Sequence, residues 1–115
     1  MAEKADNMLK EIIEKSKTLD IFEKRTVNDE YCEYVVATDE INKWEKMLTG
    51  ILGPATKPAK VKPTKEDVRI TQECGGVFDN QTLFKKEFED GTIIAMFWPW
   101  QDDTHTTVKI AFIKK

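Results

Sequence analysis

The chain has one histidine, two cysteines and five glycines among 115 residues, and each scarcity narrows the chemistry open to it. His105 stands alone, with only Asp102 and Asp103 close by in sequence as metal-capable neighbours, and a zinc site takes four ligands or three and a water. Three such residues in a hairpin loop read first as turn formers. Cys32 and Cys74 lie far apart and outside any Cys-x-x-Cys spacing, so they read as reduced, mostly buried thiols. No glycine-rich phosphate loop, nucleophile elbow, EF-hand pattern or zinc-ligand spacing occurs. Acidic pairs such as Glu87/Glu89 are what a surface with 21 acids carries anyway. No cofactor is expected, and the balance leans away from an enzyme.

Long apolar runs are missing too. The longest, Thr92 to Trp100, is far shorter than a bilayer-spanning helix requires. The N-terminus, MAEKADNMLKEIIEK, interrupts with charge the place where a signal peptide needs an apolar stretch, so a cytoplasmic location is expected. No internal repeat is visible.

What is present is a charged and moderately apolar chain, 34% and 40% respectively, with a net charge of −3. That composition suits one folded domain spanning residues 1–115. The charge is uneven. Residues 1–53 hold eight basic and twelve acidic groups, residues 54–65 hold four lysines and no acid, and residues 66–115 hold six basic and nine acidic groups.

In chain order, residues 2–19 place Ala5, Met8, Leu9, Ile12, Ile13 and Leu19 on one sector of a 3.6-residue period, an amphipathic helix. Residues 21–37 suggest a short hairpin, with a turn at Val27-Asn28-Asp29-Glu30 and YCEYVVA as its second strand. Ile41, Trp44, Leu48, Ile51 and Leu52 mark a second helix over 39–52. Thr38 or Asp39 is its expected N-cap and Gly53-Pro54 its stop. PATKPAKVKPTK, residues 54–65, reads as an extended surface crossover. Residues 67–113 then read as a four-stranded antiparallel meander, starting with an alternating strand from Asp67 to Cys74.

Asp90-Gly91 between two strand-like runs predicts a type I′ turn with positive φ at both positions. Opposing Glu89 with Thr92 in that register pairs Phe88 with Ile93, Lys86 with Ala95 and Phe84 with Phe97 on one face, and Glu87 with Ile94, Lys85 with Met96 and Leu83 with Trp98 on the other. The first face, joined by Val68, Ile70, Val108, Ile110 and Phe112, is the expected floor for the helices. The second is polar apart from the stripe Ile94, Met96, Trp98 and Trp100, which needs a cover. The expected covers are, in order, the N-terminal helix or hairpin, a protein partner or second subunit, and a small ligand.

The fold class expected is therefore α+β: two helices on one face of a four-stranded antiparallel meander that an N-terminal hairpin can extend. Three functional readings follow. The first is a non-enzymatic interaction domain using Ile94, Met96, Trp98 and Trp100, with a protein partner or as a homodimer. The second is a small-ligand site or enzyme around Cys74, Trp100, Asp102, Asp103 and His105. The third is an anion contact through Lys57, Lys60, Lys62 and Lys65. Lysines without arginine or interleaved aromatics in an acidic chain make a poor nucleic-acid footprint.

Overall fold

Ala5, Leu9 and Ile12 recur at helical spacing, and burying them positions the first helix. In the computed structural model, which describes residues 4–28 and 30–114, α1 runs Ala5–Ser16 and those three side chains lie in the core. The expected helix start at residues 2 and 3, and Asp29 of the first turn, lie outside the described residues. Lys4 provides no side-chain cap. Instead the Ala5 amide donates to Asp90 Oδ1 at 2.6 Å, a contact across 85 residues of chain. The carboxylate satisfies an orphan amide at the positive end of the helix dipole.

β1 (Glu23–Val27) and β2 (Tyr31–Ala37) form the expected hairpin, with a bulge between Lys24 and Thr26. Asn28 Oδ1 accepts from the amides of Glu30 and Tyr31, both at 2.9 Å, closing the turn through its own side chain. α2 spans Ile41–Leu52, buries Trp44, Leu48, Ile51 and Leu52, and stops at Gly53 with φ 86°. Positive φ there favours glycine, as the Gly-Pro signal implies. Neither Thr38 nor Asp39 caps it. Thr38–Glu40 form a 3₁₀ turn, and the Thr38 hydroxyl lies 3.1 Å from that of Thr106.

Residues 67–74 depart from expectation. They belong to a short helix, α3 (Lys65–Thr71), and a following 3₁₀ turn, Gln72–Cys74. Thr64 Oγ1 accepts from the Asp67 amide at 3.1 Å while Asp67 Oδ2 accepts from the Thr64 amide at 2.9 Å. This reciprocal capping box uses two donors that a strand would have sent to a neighbour. The strand reading of Val68, Ile70, Gln72 and Cys74 is thereby corrected: Val68 is exposed and Ile70 only half-buried.

β3 (Thr82–Phe88), β4 (Gly91–Pro99) and β5 (His105–Lys114) make the meander. The hairpin joins it on β5, giving a five-stranded antiparallel sheet in the order β1-β2-β5-β4-β3. The fold is α+β as expected, with five strands where four were expected, and with a third helix among the described residues.

The β3–β4 register is two residues off the predicted one. Phe88 pairs with Gly91, Lys86 with Ile93, Phe84 with Ala95 and Leu83 with Met96. Neither Asp90 nor Gly91 has positive φ, so the type I′ expectation is corrected. Asp90 serves α1. Gly91 is needed for close approach, since a Cβ there would lie 2.4 Å from both the Ile113 carbonyl oxygen and the Phe112 ring. A shift of two preserves which face each side chain takes, whereas a shift of one would invert it.

The predicted face assignment survives for these strands. Phe84, Phe88, Ile93, Ala95, Phe97, Val108 and Ile110 share a core with Cys32, Tyr34, Val36 and the buried residues of α1 and α2. Lys86, on the same face, is exposed and holds its ammonium 5.5 Å from the Phe88 ring centre. No helix among the described residues is long and apolar enough to cross a membrane.

Candidate functional site

The second face carries the apolar stripe of β4, and its cover is not one of those anticipated. α1 packs with α2 on the first face, and the β1–β2 hairpin lies beside β5 within the sheet. The cover comes from α3, its 3₁₀ extension and Val77. Leu83, Ile94, Met96 and Ala111 form a second core with Val77, against which Ile70, Cys74, Trp98, Tyr31 and Ile113 pack. Ile94 and Met96 are both 0% exposed. They hold this cover in place and offer no surface to another molecule.

Trp98 lies where the cover ends. Its ring packs against Gly75, where a Cβ would come within 2.8 Å of the indole. Gly75 also has φ 95°, so both space and backbone favour glycine. The Lys109 ammonium sits 3.5 Å from the centre of the Trp98 ring and donates to the Cys74 carbonyl at 3.2 Å. This cation–π contact ties β5 to the edge of the cover. Phe78 meets Trp98 edge-on at 6.4 Å.

Beyond Trp98 the row continues through Thr107 and Trp100 to His105 and Phe22. Trp100 is half-buried and donates its indole N–H to Thr107 Oγ1 at 3.0 Å. Its ring centre is 5.0 Å from that of His105, and His105 is 4.3 Å from Phe22. Trp98 and Thr107 are direct cross-strand partners. A row of contacts therefore runs from Phe78 through Trp98, Thr107, Trp100 and His105 to Phe22. Its ends are its most open members: Phe78 is 58% and Phe22 67% exposed.

The turn after Trp100 is tied by local hydrogen bonds. Asp103, with φ 60°, donates its amide to the Trp100 carbonyl at 3.0 Å. Asp102 Oδ1 accepts from the amide and hydroxyl of Thr104, and these bonds hold its carboxyl below the usual range. With its proton given to Asp102, the Thr104 hydroxyl accepts from His105 Nδ1 at 2.9 Å. That arrangement leaves Nε2 as the imidazole's free acceptor. A shallow, open depression of about 450 Å³ is lined by Pro99, Trp100, Gln101 and Asp102.

Cys74, offered by the sequence as a companion of these groups, is half-buried at the cover and is absent from the residues lining that depression. Burial pushes its thiol up, with Lys109 opposing, so it stays protonated and a poor nucleophile near neutral pH. Among the described residues no group of three or more His, Cys, Asp and Glu side chains converges as metal ligands.

The lysines of the crossover separate into two kinds. Lys60, Lys62 and Lys65 are exposed. Lys57 is 1% exposed, which corrects its placement as a surface anion contact. Its backbone bridges Leu83 on the outer edge of β3, and its ammonium donates to the carbonyls of Pro58 and Asp79, each at 3.1 Å, and to that of Gln81. Burial pushes the ammonium down from the ordinary lysine value, opposed by the carboxylates of Asp79 and Asp67.

Phe22, Phe78 and Lys109 are the members of this surface that sequence reasoning did not nominate. Phe22 fits neither the α1 stripe nor a buried strand position, and that misfit was its one signal. Phe78 is largely exposed, while its neighbour Val77 is buried. The row offers planar, apolar contacts with a cation at one end and a hydrogen-bonded imidazole towards the other. It has no paired nucleophile and base.

No protein-family model, curated protein or solved structure matches this chain. Its site is read from its own geometry.

Proposed function

We propose that the protein is a non-enzymatic recognition domain that takes an apolar segment of a protein partner along the row Phe78, Trp98, Trp100, His105 and Phe22. The observation that carries this reading is the exposure of Phe22 and Phe78, 67% and 58%, at the two ends of a connected aromatic row. Aromatic side chains with mixed charge nearby have the composition of an interface centre and its rim. Lys109 and Asp102 supply charges of both signs beside the row, which favours register over bulk attraction.

The test is a peptide selection against the chain, with Phe22→Ser/Phe78→Ser as the counter-selected decoy, alongside sedimentation of both proteins. Selected peptides rich in aromatic and aliphatic side chains, binding the original chain and shifting amides between 98 and 107, support the proposal. Self-association lost in the double variant identifies the partner as a second copy. A chain that stays monomeric and selects nothing the decoy does not also select overturns it.

A second reading is favoured by the open depression lined by Pro99, Trp100, Gln101 and Asp102, with the His105 ring centre 5.0 Å from that of Trp100. In it a small planar ligand stacks on Trp100 and is held by His105. Titration with a metabolite mixture then moves amides between 99 and 106 and leaves Phe78 silent.

A further inference from the structure

A separate cavity opens on the helix-covered side of the sheet, between the last turn of α1 and the β1–β2 hairpin. Its volume is about 380 Å³, the share of liquid taken by roughly a dozen water molecules and within the range of small-ligand sites. The walls are Ile13, Ile21 and Val27, and Lys17 and Lys24 line it as well. Both lysines are exposed and Ser16 and Tyr34 are each 1% exposed. The lysines therefore stand at the rim and the two hydroxyls at the floor.

The hydrogen bonds at the floor leave one donor poorly used. Ser16 Oγ is 2.6 Å from the Ile13 carbonyl, to which its single proton goes. The Tyr34 hydroxyl is then left with Ser16 Oγ at 3.3 Å, long for a bond between hydroxyls, and with the Cys32 thiol, a weak sulfur acceptor. A better acceptor entering the cavity would draw that phenolic proton. Burial pushes the Tyr34 phenol up from its ordinary value, so the group remains a donor at neutral pH.

The placement of charge decides the orientation of a ligand. The floor adjoins the C-terminal, negative end of the α1 dipole, which disfavours an anion there. The rim is cationic: Lys24 makes no ion pair among the described residues, and Lys17 pairs only with exposed Glu14, at 2.9 Å. An anionic group therefore belongs at the rim, an uncharged oxygen at the floor, and an apolar body between the isoleucines and Val27.

We propose that this cavity binds a small monocarboxylate whose opposite end carries a neutral oxygen acceptor. The carboxylate meets Lys24 and Lys17, and the far oxygen accepts from Tyr34. This site is independent of the aromatic row, which lies across the second face.

The experiment is an amide-shift titration of the full chain with 4-hydroxybenzoate, benzoate and 4-hydroxybenzyl alcohol at millimolar concentrations. 4-Hydroxybenzoate is expected to give saturable shifts at residues 13–27 and 34. Benzoate lacks the far oxygen, and the alcohol lacks the carboxylate; each is expected to bind about fivefold more weakly. Lys24→Gln, at an exposed position, weakens both acids about threefold and leaves the alcohol unchanged. Tyr34→Phe brings 4-hydroxybenzoate down to the level of benzoate. Absence of saturable shifts there, equal binding of the three compounds, or indifference of both acids to Lys24→Gln overturns the proposal. The Lys24→Gln comparison decides the matter even if Tyr34→Phe perturbs the fold.

Discussion

On its first face the sheet is packed under α1 and α2 from Cys32 across to Phe88, whereas on its second face α3 and its extension cover Ile94 and Met96 and end at Trp98. One strand, β4, contributes to both arrangements, and the second-face stripe that runs along it to Trp100, just past its end, divides into buried Ile94 and Met96 and half-buried Trp98 and Trp100. Position along a strand, as much as the face a side chain takes, therefore separates core from contact surface. An alternating pattern reports the face and says nothing about where a cover stops.

The contrast can be broken by substitution and sharpened by chemistry. Ile94→Ala, beneath the cover, is expected to cost about 2 to 5 kcal/mol in denaturant unfolding, whereas Trp100→Ala should cost far less and act on partner binding. Equal losses would make the tryptophans ordinary core. Lys57→Met leaves buried carbonyls without their donor at the margin of the second face, a loss of about 1 to 3 kcal/mol. If it were neutral in urea titrations, the ammonium would have no structural role.

The two cysteines report the faces separately. Burial pushes the Cys32 thiol up from 9.0 to about 12, and Cys32 is 0% exposed. Its raised value means the folded state keeps a proton that the unfolded state gives up. The associated stability is complete below pH 9 and is lost as pH rises towards 12, by about 1.4 kcal/mol per unit at most. Cys32→Ala should remove that part of the alkaline slope in unfolding curves measured from pH 8 to 11. Cys74, at the margin of the cover, should react with a thiol reagent well before Cys32 does.

Thr64→Ala removes half of the capping box and should loosen α3 by about 1 kcal/mol. The readout is Trp98 fluorescence, which shifts red as the cover lifts, while the first face holds its amide protection. The smallest effect on stability belongs to Phe22→Ser with Phe78→Ser, within about 0.5 kcal/mol. In that variant loss of binding with an unchanged unfolding midpoint separates the contact role from folding.

The meander strands, α2 with its Gly53 stop, and the parity of the two faces were legible because each depends on local periodicity. Ile93, Ala95 and Phe97 alternate with Ile94, Met96 and Trp98 whatever the neighbouring strand does. Thr64-Lys65-Glu66-Asp67 was legible as well, since Thr three residues before an acid is a helix-start signature. The alternation of Val68 and Ile70 directly after it has the period of a strand, and it was that pattern which suggested one. Asp90-Gly91 misled for a different reason: the pair has the local chemistry of a hairpin turn, but each residue is committed to a distant partner, Asp90 to the α1 amide and Gly91 to the β5 backbone.

Composition and periodicity by themselves determined the α+β class, the core side of the meander and the need for a cover on the second side, because these follow from burying apolar groups at fixed spacing. Which segment became the cover, which lysine was drawn inside, and where Phe22 and Phe78 came to lie were decided only in three dimensions. Those outcomes depend on contacts between residues far apart in sequence, such as Lys57 with Gln81 and Lys109 with Trp98, and no local pattern encodes them.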